Sequence, residues 1–403
     1  MKNQGHSGNR PLPSKWSPQP VIKWLFAKGR FIGNRNQFVH EFATRLAQVG
    51  APIDRLFITL LTLNPQVVAT SHNWIKSEGK TTPYEAEHQV LETDRYIGSP
   101  LQQLFDTQKR VRQRLDQLPE HAHGAFTELA DSGFIDYLAL PVKFGDTLGS
   151  AIIIATKRDS GFHDRDIQQF RKIRDFAAPI LEVYALRNLS ISLLNTYVGK
   201  RTSEKVLAGM IKRGDADMIH AALWFSDLRD FTQLTETLPS RQVLAMLNAY
   251  FELVSAAVTA HRGEILRFIG DAMLIVFPID DHLSQKYACE SALDAAIDAQ
   301  AAVAALNHRR RRHNEPEIKF GIGLNVGEVA YGNVGAPDRL DFTVMGPVVN
   351  RTARLESLTK QLAENILFSQ NFADLIEKPS CFLGLYAMKG IAQPQAVFAL
   401  KPG

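Results

Sequence analysis

The order of strand and helix patterns in the second half of the chain constrains its fold more than any other feature. Short apolar runs typical of strands alternate with longer stretches whose apolar residues recur at helical spacing. They follow the order strand, helix, strand, strand, helix, strand, over residues 221–226, 240–258, 264–268, 272–277, 282–306 and 318–325. This βαββαβ order predicts a ferredoxin-like α+β domain, in which the third strand lies antiparallel between the first two.

Two aspartates fall where this topology brings strand ends together. Asp227 follows the first strand, and Asp271 lies in the turn between the second and third strands. Because the end of the first strand adjoins the start of the third, we expect the two carboxylates to meet at one edge of the sheet. Such a pair suits Mg²⁺ or Mn²⁺, which prefer oxygen ligands and share them with substrate phosphates. Taken singly, a turn role for Asp271 and a capping role for Asp227 are open alternatives.

A helix with polar residues in its first turns is predicted after Gly346. Pro347 favours a first-turn position, and Asn350 and Arg354 lie four residues apart, so they project from the same face. A helix N-terminus that presents Asn and Arg suits a phosphate group, and an ordinary surface pair is the alternative. Further on, Lys389 lies between two strand-like runs and could reach a terminal phosphate.

Five motifs occur in the order and spacing of one known family, the class III nucleotidyl cyclases. They are FSDLRDFT, RFIGDAMLIVF, GLNVGEVAYGNVG, DFTVMGPVVNRTARLE and MKG, and the resemblance covers about residues 221–400. It implies an adenylate cyclase, a phosphorus-oxygen lyase that converts ATP into 3′,5′-cyclic AMP and pyrophosphate at the interface of an antiparallel homodimer. It also implies two Mg²⁺ or Mn²⁺ ions per active site, held by Asp227, Asp271 and the backbone carbonyl of Leu228.

The resemblance assigns the remaining site residues to the second subunit of the dimer. Arg267 and Thr343 would read the base, and Asn350 would orient the ribose. Arg354 would stabilise the phosphoryl group during transfer, and Lys389 would bind the triphosphate. In this arrangement neighbouring residues such as Arg267 and Asp271 serve different active sites.

Two positions depart from the family pattern. Arg267 stands where an adenine-reading Lys is usual, and Asp230 stands where Gly is common. Arg267 can donate to the ring nitrogen of adenine while Thr343 accepts from the exocyclic amine, and a guanylate cyclase would typically place an acidic group at this position. The sequence therefore favours ATP. A cyclase for GTP or another nucleotide, and a catalytically silent nucleotide-binding module, remain as alternatives.

Residues 36–187 predict a separate α+β domain. The order of its patterns resembles a GAF-type sensory domain, mainly through YLALPVKFGDTLGSAIIIATKRDSGFHDRDIQQF at 137–170. The resemblance implies an unidentified sensory ligand, and a domain that only dimerises is the alternative. Its closing helix has apolar residues at spacing near 3.5, which predicts a parallel helix pair between two chains. These residues are Ile173, Phe176, Ala177, Ile180, Tyr184, Leu193 and Leu194, with a kink expected at Pro179.

The remaining segments complete the domain assignment. Residues 1–35 are rich in Pro, Gly, Asn, Lys and Arg, which predicts a flexible basic leader. Residues 188–216 predict a helical linker, and 217–403 the cyclase domain. The net charge of +4 over 403 residues does not favour a nucleic-acid partner, and the arginine run at 309–312 lacks interleaved aromatic residues.

The cysteine content and the lengths of the apolar runs bear on the cellular location of the protein. The chain has two cysteines, no signal-peptide pattern, and no apolar run long enough to span a bilayer. These observations predict a cytoplasmic protein without an integral membrane segment.

Overall fold

The computed structural model describes residues 16–279 and 284–401. The chain divides into two compact units, Met1–Thr196 and Tyr197–Gly403. The helices of the N-terminal unit are α1 (Gln19–Ala27), α2 (Arg35–Gln48), α3 (Pro100–Thr107), α4 (Gly124–Asp131) and α5 (Asp164–Val198). Its strands are β1 (Arg55–Leu61), β2 (Val67–Ile75), β3 (Lys80–Glu87), β4 (Val111–Arg114), β5 (Asp136–Phe144) and β6 (Thr147–Thr156).

In the described part of the N-terminal unit, the strands form one antiparallel sheet in the order β3-β2-β1-β6-β5-β4. Alternate residues of a strand point to opposite faces, and both faces are covered. Leu56 and Ile58 pack in one core with residues of α1, α2 and α5. Phe57 packs in a second core with residues of α3 and α4. The mixed α+β class predicted from the sequence is confirmed, while the GAF-type assignment stays a prediction.

The prediction of a flexible leader is wrong for residues 16–35. Trp24 is buried and stacks on Phe38 with ring centroids 5.9 Å apart. The Trp16 indole N–H donates to Asp166 Oδ1 at 2.8 Å. Because the segment contains Lys and Pro residues, the sequence analysis did not recognise the apolar helix α1. Residues of this helix form part of the N-terminal core. Residues 1–15 of the predicted leader lie outside the described residues.

Helix α5 packs its first apolar face on its own unit. Ile173, Ala177 and Tyr184, which the sequence assigned to a helix pair, are buried in the first core. A set at heptad spacing stays exposed, namely Phe176 and Leu193 of the predicted residues together with Val183 and Leu186, here called the α5 stripe. The helix is continuous through Pro179. The predicted pairing face is therefore corrected to the α5 stripe.

The C-terminal unit contains helices α6 (Lys200–Leu207), α7 (Phe231–Thr237), α8 (Ser240–Ala260), α9 (Gln285–Arg312), α10 (Pro347–Leu362) and α11 (Gln370–Ala373). Its strands are β7 (Ala216–Leu228), β8 (Glu264–Ile269), β9 (Ala272–Ile279), β10 (Phe320–Ala336), β11 (Arg339–Met345), β12 (Ile366–Ser369), β13 (Ser380–Tyr386) and β14 (Gln395–Leu400). Across the described residues the sheet order is β13-β14-β12-β10-β7-β9-β8, and β11 pairs with β10.

The central strands of this sheet have the predicted βαββαβ topology. β9 is antiparallel to both β7 and β8 and lies between them. Residues of α8 and α9, including Met246 and Ala292, pack with Trp224 and Phe277 on one face. Helix α10 lies against β10, where a Cβ on Gly323 would overlap the Thr352 carbonyl oxygen. The glycines of β10 therefore allow α10 to approach the strand closely.

Two boundaries in the C-terminal unit differ from the prediction. Helix α9 extends to Arg312, so the arginine run forms its last turns rather than a loop, where basic side chains complement the helix dipole. Arg311 pairs with Glu317 at 2.8 Å. Helix α6 occupies part of the predicted linker and packs on the unit, because the Thr202 and Tyr331 hydroxyls bond at 2.9 Å. Residues 280–283, where the α9 pattern was predicted to begin, lie outside the described residues.

Two helices are long and apolar enough to cross a membrane by length and composition alone, Asp164–Val198 and Ser240–Ala260. The sequence prediction counted only unbroken apolar runs and did not single them out. In the structure each packs one face on its own unit and leaves other apolar residues exposed. Phe170 and Leu181 of α5 and Tyr250 and Val254 of α8 are fully buried against the sheets.

Candidate active site

Asp227 and Asp271 come together at one edge of the C-terminal sheet. Asp227 is the penultimate residue of β7, and Ser226 before it pairs with Met273 of β9. Asp271 follows Gly270 in the two-residue turn between β8 and β9, where Gly270 has a φ of +66° that glycine adopts without strain. The topology thus places the two carboxyl groups within hydrogen-bond contact.

The surroundings of Asp227 change its protonation. Burial, the hydrogen bond with Asp271 and the like charge of Asp271 together raise the pKa of Asp227 to about 6. The Leu228 backbone N–H donates to the Asp227 carboxylate and opposes this rise. Two carboxylates this close do not ionise together at low cost unless a cation compensates them. The pair therefore fits a divalent ion that takes oxygen ligands.

Glu356 is a third carboxyl group near the pair, and the sequence reasoning missed it. It lies on α10 and is buried, and a Cβ on Gly321 of β10 would be 2.8 Å from its Oε1. Burial and then the Asp227 charge raise the pKa of Glu356 to about 7. Within residues 16–279 and 284–401, no three His, Cys, Asp or Glu side chains converge on one metal position. Glu356 thus adds to the electrostatics of the pair without completing a ligand set.

The two predicted base-reading residues lie close to a third residue, Asp341, that the sequence reasoning did not identify. Arg267 Nη2 donates to Asp341 Oδ2 at 2.8 Å. Asp341 and Thr343 are two residues apart on β11, so their side chains share one face of the strand. The group offers guanidinium donors, a hydroxyl and a carboxylate acceptor. The sequence could have indicated Asp341, because side chains alternate between the two faces of a strand and Asp341 is two residues before Thr343.

Asn350, Arg354 and Lys389 are exposed. Asn350 and Arg354 lie on α10, which begins with Pro347 after Gly346, and Lys389 lies in the loop between β13 and β14. Among the described residues, no hydrogen bond or ion pair joins these three side chains to the carboxylate pair of the same chain. The structure of one chain therefore brings together only part of the predicted set.

Asp230 has a structural explanation. Its φ is +61°, a conformation that favours glycine and that Asp tolerates better than most residues. Lys360 Nζ lies 2.5 Å from Asp230 Oδ1, and this hydrogen bond lowers the pKa of Asp230. Lys360 thus compensates the negative charge that Asp230 introduces at a position where Gly is common.

Comparison with known proteins identifies the family of this region. Residues 216–396 match the family described as the adenylate and guanylate cyclase catalytic domain. The match covers less than half of the chain and contains every site residue discussed above. The C-terminal unit therefore contains a nucleotide cyclase catalytic domain of class III.

Individual relatives match parts of the chain. Adenylate cyclase 1 of Rhizobium meliloti (strain 1021) is 36% identical over 147 residues, which are 36% of this chain and 22% of that protein. The solved adenylyl cyclase CyaB from P. aeruginosa is 27% identical, with 47% of this chain and 97% of that chain covered and a TM-score of 0.43. The guanylyl cyclase Cya2 is 28% identical, with 46% and 93% covered and a TM-score of 0.41. The chain spans only 22% to 31% of the length of the first curated relatives it matches.

Proposed function

We propose that the C-terminal unit is an adenylate cyclase that converts ATP into 3′,5′-cyclic AMP and pyrophosphate. The observation that carries the proposal is the Asp227–Asp271 pair, held at a sheet edge inside the cyclase catalytic domain. A carboxyl pair in which one member retains a proton up to about pH 6 is stabilised when a divalent cation replaces that proton. Mg²⁺ and Mn²⁺ both suit such oxygen ligands.

Asp227, Asp271 and the backbone carbonyl of Leu228 would hold the two metal ions. When bound, the ions lower the pKa of the ribose 3′-hydroxyl and compensate the charge of the triphosphate. The protein contributes rigidity to this site, because Asp227 lies within β7 and pairs with Gly321 of β10. Buried Glu356, with its raised pKa, limits the negative charge that surrounds the pair at neutral pH.

The remaining groups of the site come from a second copy of the chain. Asn350 orients the ribose, and Lys389 binds the triphosphate. The guanidinium of Arg354 stabilises the charge that develops as the 3′-oxygen attacks the α-phosphorus and pyrophosphate leaves. These side chains are exposed, and among the described residues none bonds to the carboxylate pair of its own chain, which supports a homodimer with sites between subunits.

Arg267, Asp341 and Thr343 support ATP as the substrate. Arg267 donates to the adenine ring nitrogen, and Thr343 accepts from the exocyclic amine. Asp341 holds the guanidinium in place through the 2.8 Å contact. The competing substrate is GTP, because Arg267 and the Thr343 hydroxyl are also able to donate to its carbonyl oxygen.

The test is a product assay on the full chain. The purified protein is incubated with Mn²⁺ and each of ATP, GTP, CTP and UTP, and the Asp271→Ala variant is the control. We expect cyclic AMP from ATP in excess over the other three products. Nucleotide binding without any product above the control would contradict the proposal and favour a silent module. A different main product would show that another of the four nucleotides is the substrate.

We also propose that the N-terminal unit is a GAF-type sensor that regulates the cyclase through a helix pair. The support is the α5 stripe, whose members are separated by seven, three and seven residues and are 39% to 63% exposed. This is the a and d spacing of a coiled coil. Helix α5 ends at Val198, where the C-terminal unit begins in the chain, so it connects the two units in sequence.

A further inference from the structure

The N-terminal unit contains a cavity of about 430 Å³ that lies between its sheet and helices α3 and α4. Much of its lining is apolar, from Phe57, Ala69, Leu129, Phe134 and Ile153. Cavities of a few hundred Å³ with mostly apolar walls are typical of small-molecule sites. The cavity therefore has room for a molecule of two or three rings.

Arg55 lines this cavity without a carboxylate partner. Its Nε donates to Asn73 Oδ1 at 2.8 Å, and its guanidinium lies 5.2 Å from the centroid of the Phe57 ring. Glu128 also lines the cavity, yet in the part of the chain that the structure describes no ion pair is formed by Arg55. Burial lowers the pKa of Arg55, and the charges of Tyr137 and Glu128 oppose this only in part. A desolvated cation that has no anion in direct contact is stabilised when a ligand supplies one.

Other polar groups in the cavity differ in what they can still bind. The Ser71 and Thr59 hydroxyls bond to each other at 2.9 Å, so they are already paired. Tyr137 is buried, and burial raises its pKa, so its hydroxyl is neutral and can donate. Arg95 adds a second positive charge to the lining. The cavity thus offers positive charge and a hydroxyl donor beside an apolar body.

We propose that this cavity binds a small molecule in which an anionic group, a carboxylate or a phosphate, is attached to a flat apolar body. Arg55 binds the anionic group through its free guanidinium N–H donors, and the walls that include Phe57 and Phe134 contact the apolar body. The proposal concerns the N-terminal unit alone and holds whether or not the C-terminal unit is an active cyclase.

The test uses two probes that share an aromatic body and differ in charge. The first is 8-anilino-1-naphthalenesulfonate, and the second is the neutral N-phenyl-1-naphthylamine, both followed by fluorescence titration of the full chain. We expect Arg55→Gln to weaken binding of the sulfonate by about tenfold or more, because a charge-assisted hydrogen bond is lost. Binding of the neutral probe should stay the same.

Arg110→Gln is the matched control, because Arg110 is an exposed arginine of the same unit outside the cavity lining. It should bind both probes as the natural chain does. Arg55→Lys is the second variant and keeps the charge while losing the planar fork, so it should weaken the sulfonate less than Arg55→Gln does. Equal sulfonate binding by the natural chain and Arg55→Gln would overturn the proposal, and so would no sulfonate binding at all.

Displacement of the bound sulfonate probe distinguishes a carboxylate from a phosphate as the preferred anionic group. 1-Naphthoate carries a carboxylate and 1-naphthyl phosphate carries a phosphate on the same ring system. Displacement of the sulfonate by either one supports the proposal and identifies the preferred group. Failure of both to displace it would overturn the proposal.

Discussion

The acidic residues around the candidate active site influence one another. Burial first, and then the charges of neighbouring carboxyl groups, raise the pKa values of Asp227 and Glu356. Asp230 and Asp341, in contrast, are paired with Lys360 and Arg267. Residues of the same type thus differ in role because of their neighbours. A carboxylate without a cation partner is suited to bind a metal ion, and one paired with a cation fixes that cation in place.

At the residue scale, Arg354→Ala should lower kcat by about 10²–10³ with a smaller change in KM. The reason is that its guanidinium acts where charge develops in the transition state. Steady-state kinetics with ATP and Mn²⁺ measure both constants. Arg309→Ala, an exposed arginine at the end of α9, is the control and should retain full activity. An unchanged kcat in Arg354→Ala would contradict the assigned role.

Asp341→Asn should raise the KM for ATP by about threefold to tenfold, because Arg267 loses a charge-assisted hydrogen bond that orients it. The preference for ATP over GTP should fall at the same time, while kcat changes less. Asp338→Asn in the same hairpin is exposed and serves as the control. If only thermal stability changed and both KM values stayed the same, Asp341 would have no part in reading the base.

His72 predicts a pH dependence of stability in the N-terminal unit. Burial and then the charge of Arg35 lower the pKa of His72 from 6.5 to about 4. The unfolded chain therefore binds more protons than the folded chain between these pH values, so the free energy of unfolding falls as the pH falls through this window. His72→Gln should flatten this slope in thermal unfolding measured from pH 7.5 to 4.5. His121→Gln, at an exposed position, should leave the slope unchanged.

At the scale of elements, the structure corrects which parts of a helix pack and which remain free. The helical pattern of α5 was evident from the sequence, but it contains two apolar faces. Ile173, Ala177 and Tyr184 lie on the face that the sheet covers. The α5 stripe lies on the other face. Spacing alone did not distinguish the two, because both repeat close to the helical period.

The combined change Val183→Glu and Leu186→Glu should shift the full chain from dimer to monomer and reduce cyclase activity. Two charges at neighbouring a and d positions cannot be buried between paired helices without a large desolvation cost. Light scattering and the cyclic AMP assay measure the two effects. Asn195→Glu, an exposed polar position on the same helix, is the control. A dimer with full activity in the double variant would rule out pairing through the α5 stripe.

At the scale of the whole molecule, dimerisation would be a condition for chemistry. One chain holds Asp227 and Asp271 together, while Asn350, Arg354 and Lys389 are exposed and, among the described residues, do not bond to that pair. A complete site then requires groups from two copies. The regulatory proposal depends on the same condition, because a sensor that alters the pairing of two chains alters both active sites.

Complementation tests this arrangement. Asp271→Ala and Arg354→Ala should each be nearly inactive alone and regain about a quarter of natural activity when mixed in equal amounts, because half of the dimers are mixed and each has one intact site. The assay is cyclic AMP formation after subunit exchange. Mixing Asp271→Ala with Asp227→Ala is the control and should restore nothing. Sites built within single chains would give no recovery in the first mixture.

Much of the catalytic fold was predictable from local order in the sequence. The βαββαβ pattern determines which strands are neighbours, and that topology brings the end of β7 to the start of β9. The meeting of Asp227 and Asp271 followed from it without side-chain detail. The motifs in turn identified Asn350, Arg354 and Lys389, because their spacing is local.

Tertiary structure alone decided the contacts between residues far apart in the chain. Asp341 lies beside Arg267, 74 positions away, and Lys360 pairs with Asp230, 130 positions away. The burial of Trp16 and Trp24 in the N-terminal core and the cavity beside Arg55 are of the same kind. Periodicity and spacing report the neighbours of a residue within one element. Which charges are paired, and which remain free for a ligand, depends on how separate elements pack.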